Sequence, residues 1–131
     1  MAYMIVDPYG VRVRCVIVDD SPLFLEGASD LLEREGLEVV GVAANSAEAI
    51  RLVMELRPDV TLVDIDLGNE DGFELAQQLS EISAASSKVI LVSTHAEEDL
   101  AHLVERSPAV GFIAKTRLSA QAIRDTLERA A

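Results

Sequence analysis

Asp19, Asp20, Asp64, Ser93 and Lys115 are the side chains of this sequence whose types could work together on one substrate. Each stands where a short apolar run ends. Val16-Ile17-Val18 runs into the acid pair Asp19-Asp20, and Val60-Thr61-Leu62-Val63 into Asp64. Val89-Ile90-Leu91-Val92 runs into Ser93, and Val110-Gly111-Phe112-Ile113-Ala114 into Lys115. Runs of this length, bounded by turn residues, read as buried strands. Such a strand does not readily bury a charge, so the polar ends belong at a cleft. Three carboxylates in one cleft repel one another, and a bound divalent cation removes the repulsion. Mg²⁺ suits the set because it takes oxygen ligands and keeps several waters; no Cys/His cluster points to zinc. A carboxylate oxygen there can attack phosphorus and hold the phosphoryl group as an acyl phosphate. The transfer is mostly positioning and charge neutralisation, with the cation, Lys115 and the Ser93 hydroxyl each taking one phosphoryl oxygen. Asp64 is the preferred nucleophile, since the adjacent Asp19-Asp20 reads as the metal arm.

Positioning these groups requires strands that end on one edge. The spacing gives a first strand over 11–18 and a helix opened by Ser21-Pro22, with Leu23, Leu25, Ala28, Leu31 and Leu32 inward and Gly36 as its stop. A second strand over 37–44 precedes a helix capped by Asn45-Ser46, which carries Glu48 in its first turn and ends at Arg57-Pro58. The third strand, ending at Asp64, leads through a loop at 68–72 to a helix marked by Phe73, Leu75, Ala76, Leu79 and Ile82. A polar linker at 83–87, a strand over 88–92 and a helix over 96–106 follow, with Leu100, Leu103 and Val104 inward. The last strand is 110–114 and the last helix 118–129. Five strand–helix alternations predict an α/β fold, a parallel sheet with helices on both faces. On that edge open sheets bind ligands.

At 131 residues the chain has about one domain's worth of sequence, and half of it is hydrophobic, enough for a sizeable core. The net charge of −12 argues against nucleic-acid binding through phosphate contacts, which need clustered Lys and Arg. No apolar run reaches the ~20 residues of a membrane span. The start has no signal-peptide layout, so a cytoplasmic location is expected. Cys15, the single cysteine, reads as a buried thiol. Residues 1–10, with the turn cluster Asp7-Pro8-Tyr9-Gly10, read as an extension before a domain at 11–131.

From about Val11 to Arg129 the chain resembles the response-regulator receiver domain, the phosphoacceptor half of two-component signalling. The matching features are Asp19-Asp20, Asp64, Gly72 eight positions later, Ser93, and Lys115 in Gly111-Phe112-Ile113-Ala114-Lys115. The resemblance implies the doubly wound, flavodoxin-like sheet of order 2-1-3-4-5. It implies phosphorylation of Asp64 by a sensor histidine kinase. It implies Mg²⁺ held by the Asp20 and Asp64 side chains and the Asp66 main-chain carbonyl, with Asp19 helping partly through water. Ser93 and Lys115 would contact the phosphoryl group, and Phe112 would be the aromatic switch, turning inward as the hydroxyl moves. The face from the fourth to the fifth helix would then change, as a partner surface or as a homodimer surface formed on phosphorylation. The strands resemble those of NarL-type regulators, which carry a helix-turn-helix output domain that this chain does not include.

Departures from the pattern are Gly68, where proline is frequent, Thr94, where a small residue is common, and Thr116, where proline often follows the lysine. Other readings stand beside the main one. Ser93 can also cap the next helix, Phe112 can be plain core, and His95 and His102 read as surface residues. Asp64-Ile65-Asp66 also resembles the Asp-x-Asp of haloacid-dehalogenase-type phosphatases, although there that motif comes first. A receiver that binds a partner without phosphorylation is the remaining alternative.

Overall fold

The computed structural model describes residues 12–83, 87–95 and 97–130. The expected extension at 1–10 and the start of the first strand at Val11 lie outside them, as does Ala96. The elements in chain order are β1 (Arg14–Val18), α1 (Pro22–Arg34), β2 (Glu38–Ala43), α2 (Ser46–Leu56) and β3 (Val60–Asp64). Then come β4 (Asp66–Leu67), β5 (Glu70–Asp71), α3 (Gly72–Ser83), β6 (Lys88–Ser93), α4 (Glu97–Arg106), β7 (Gly111–Ala114) and α5 (Ala120–Ala130). The main sheet is parallel, in the order β2-β1-β3-β6-β7. Counting only its own five strands, this is the expected 2-1-3-4-5.

Local chemistry explains the helix ends. The Ser21 hydroxyl accepts from Phe24 N at 3.3 Å, and Pro22 opens α1. Asn45 Oδ1 accepts from Glu48 N at 3.0 Å, while Glu48 Oε2 reaches back to Ala44 N at 3.1 Å. Arg57 closes α2 in the left-handed region, φ 47°, before Pro58.

Alternation along the strands divides the core into two layers. Cys15 and Ile17 of β1 face α1 and α5, where Leu32 and Ile123 are fully buried. Val16 and Val18 face α2 and α3, where Val53, Leu75 and Leu79 lie. Burial pushes the Cys15 thiol up to about 12, so it stays an inert core group.

Three apolar side chains expected to face inward stand in solvent. Leu23 is 82 % exposed because it lies half a helical turn from buried Leu32. Ile82 is exposed in the last turn of α3, past the packed Leu79. Leu103 is exposed because α4 leans on the edge strand β7 along a narrow seam that Val104 occupies. Two further segments differ from expectation. The loop at 68–72 contains a small antiparallel hairpin, β4 against β5. The last helix starts later than 118, because Lys115–Arg117 forms a 3₁₀ turn and Ser119 Oγ accepts from Ala122 N at 3.0 Å.

Register sets the functional edge. Val18 pairs with Val63, Asp64 with Val92, Val92 with Ile113 and Ser93 with Ala114. Asp19, Asp64, Ser93 and Lys115 therefore leave neighbouring strands at nearly one level.

Candidate functional site

Lys115 sits between two carboxylates. Its Nζ lies 2.6 Å from Asp19 Oδ2 and 3.1 Å from Asp64 Oδ2. It also stands 4.3 Å from the centre of the Phe24 ring, which α1 presents from its first turn. Burial alone would lower the lysine, but the hydrogen bonds and charges of Asp19 and Asp64 outweigh it and raise its pKa. The ammonium is therefore fixed in its charged form.

Asp19 is fully buried, and its Oδ1 accepts from Ser21 N at 2.8 Å, which ties the acid pair to the cap of α1. Asp20 is exposed and turns toward the hairpin. Gly68, at the hairpin tip with φ 73°, lies so near that an added Cβ would stand 3.1 Å from Asp20 Oδ2. Asp64 is 4 % exposed, and its Oδ1 accepts from Asp66 N at 3.1 Å. Burial raises the Asp64 carboxyl from its ordinary value to about 6; the Asp66 N–H and Lys115 oppose this rise, and the Asp19 charge adds to it. Gly72 begins α3 against the back of Asp64, where any Cβ would strike the Asp64 carbonyl oxygen.

Carboxylate oxygens of Asp19, Asp20 and Asp64 lie within 4.8 Å of one another. Three acids around one ammonium leave two negative charges. That all-oxygen set fits a hard divalent cation such as Mg²⁺.

Ser93 ends β6 and is 1 % exposed. Its hydroxyl accepts from His95 N at 3.0 Å and lies 3.2 Å from His95 Nδ1. Phe112, half-buried on β7, lines a cavity of about 620 Å³ between α4, β7 and α5, together with His95, Glu98, Arg117 and Asp125.

The structure thus brings Asp19, Asp20, Asp64 and Lys115 into one cluster. Asp66 joins it through its main-chain N–H, and Ser93 stands one register step beyond Asp64. Phe112 lies on the neighbouring cavity. Sequence reasoning missed Phe24 and Gly68 as neighbours of the cluster and His95 as a partner of Ser93. Only the two-residue spacing of Ser93 and His95 could have signalled the last.

The family model described as the response regulator receiver domain matches residues 15–128. The transcriptional regulatory protein LiaR of Bacillus subtilis is 29 % identical over 119 residues, covering 90 % of this chain and 56 % of LiaR. The transcriptional regulatory protein NarL of Mycobacterium tuberculosis is 31 % identical over 123 residues, covering 93 % of this chain and 56 % of NarL. The chain therefore spans about half the length of these relatives. The solved signal receiver domain of the M. tuberculosis NarL superposes with a TM-score of 0.77 at 31 % identity, covering 91 % of this chain and 96 % of that one. Among the described residues no helix is long and apolar enough to cross a membrane.

Proposed function

The chain belongs to the response regulator receiver domain family of two-component signalling, and on that premise we propose that Asp64 is its phosphoacceptor and that a sensor histidine kinase is the donor. Asp64 ionises at about 6, so at neutral pH it presents a carboxylate. One of its oxygens attacks phosphorus in line. The O–P bond forms as the bond to the donor nitrogen breaks, and the donor histidine leaves with the electron pair of that bond. Asp20, Asp64 and the Asp66 main-chain carbonyl would hold Mg²⁺, with Asp19 assisting; the ion supplies neutralisation of the phosphoryl charge. Lys115, held in place by Asp19, passes from the Asp64 carboxylate to a phosphoryl oxygen. Ser93 donates to another. Phe112 borders the cavity that would change shape with Ser93, a surface for a partner or for a second copy.

The chain accepts and loses one phosphoryl group in this reading and does not turn over a phosphate ester. Its place is the cytoplasm, and regulation of transcription is the expected output of the whole protein, as in LiaR and NarL.

The observation that carries the reading is Lys115 Nζ within 3.1 Å of both the Asp19 and the Asp64 carboxylates. Intact mass after treatment with acetyl phosphate and Mg²⁺ tests it. The native chain gains one phosphoryl, chelator prevents the gain, and Asp64→Asn gains none. An equal gain in Asp64→Asn moves the acceptor elsewhere.

A further inference from the structure

We infer that His95 is a positioning residue that holds the Ser93 hydroxyl out of phosphoryl contact, so that phosphoryl uptake competes with the Ser93–His95 hydrogen bond. The inference rests on the proposed role of Asp64 as acceptor.

A serine hydroxyl has one proton to donate and two lone pairs to accept with. Ser93 Oγ already accepts from His95 N at 3.0 Å. Nδ1 of the same residue lies 3.2 Å away. In the neutral imidazole carrying its proton on Nε2, Nδ1 is an acceptor, and the Ser93 proton points to it. That proton is the one Ser93 would donate to a phosphoryl oxygen, and it cannot serve both. Ser93 is 1 % exposed, so water does not offer it a ready alternative. His95 is at the surface beside the cavity bordered by Phe112, where its movement would be felt.

A double-mutant cycle on the full chain tests this. Initial rates of phosphoryl uptake from acetyl phosphate with Mg²⁺ are followed by intact mass for the native chain, His95→Ala, Ser93→Ala and the double variant. His95→Ala speeds uptake about two- to tenfold, the range of one hydrogen bond released, and leaves the rate unchanged in the Ser93→Ala background. An equal acceleration in both backgrounds overturns the inference, because removed bulk would then be the cause. The ring ¹⁵N shifts of His95 in the unphosphorylated protein move on Ser93→Ala. If the native chain takes up no phosphoryl, the acceptor reading fails, and these shifts decide the latch by themselves: unmoved shifts exclude it.

Discussion

Asp64 is ionised in a place that disfavours its charge. Burial lifts its carboxyl from 3.8 to about 6. Between those values the native state binds more protons than the unfolded chain, so stability falls as pH rises through the window and stays lower above it. Asn at this position cannot ionise. In metal-free protein Asp64→Asn is expected to raise stability at pH 7.5 by about 1–3 kcal/mol, several degrees in thermal melting, and to give no gain below pH 4. Melts in chelator at the two pH values check this; a gain independent of pH would place the carboxylate in open solvent. The acids and the lysine were legible in the sequence because a charge ending an apolar run has few places to go. Phe24 was not, since a half-buried aromatic in a first helical turn looks like any core residue. His95 was not, because its only signal was a two-residue spacing from Ser93, and one exposed imidazole at that spacing is too slight a mark to single out.

At the scale of elements, the hairpin β4–β5 frames the site from outside the sheet. Gly72 lets α3 start against the Asp64 carbonyl, and the Gly72 N–H donates to Ile65 O at 2.9 Å. Gly68 turns the hairpin at φ 73° beside Asp20. Alanine there is strained by its backbone and presses its Cβ on the Asp20 carboxylate. Gly68→Ala should weaken Mg²⁺ binding several-fold, measured by calorimetric titration, while the sheet persists by circular dichroism. Unchanged affinity would mean that Asp20 is free to step aside. The five main strands and helices were readable because apolar period, caps and stops agreed at Ser21, Asn45 and Pro58. The hairpin was not, because Gly68-Asn69-Glu70-Asp71 has only turn composition and two residues a side are too few for alternation to show. The late start of α5 was hidden likewise: Leu118 fits the helical stripe and is buried, yet Ser119 is the residue that caps.

For the whole molecule, the proposed metal binding and folding are coupled as one equilibrium. A cation that binds only the folded chain stabilises it by RT ln(1 + [L]/Kd). The net charge of −12 complicates the measurement, because any added salt screens self-repulsion and raises stability somewhat. Three carboxylates within 4.8 Å of one another are a local site, whereas screening acts on every charge alike. The two effects separate by variant and by salt. Mg²⁺ at a concentration about 100-fold above its dissociation constant should stabilise the native chain by about 2.7 kcal/mol beyond sodium chloride of equal ionic strength. Asp20→Asn should lose most of that excess and keep the screening part. Asp64→Asn should lose it as well, while starting from a higher metal-free melting temperature. If Mg²⁺ and matched sodium chloride raise all three proteins equally, the acidic cluster is only a concentration of surface charge, and phosphoryl transfer at Asp64 would have to proceed without the cation.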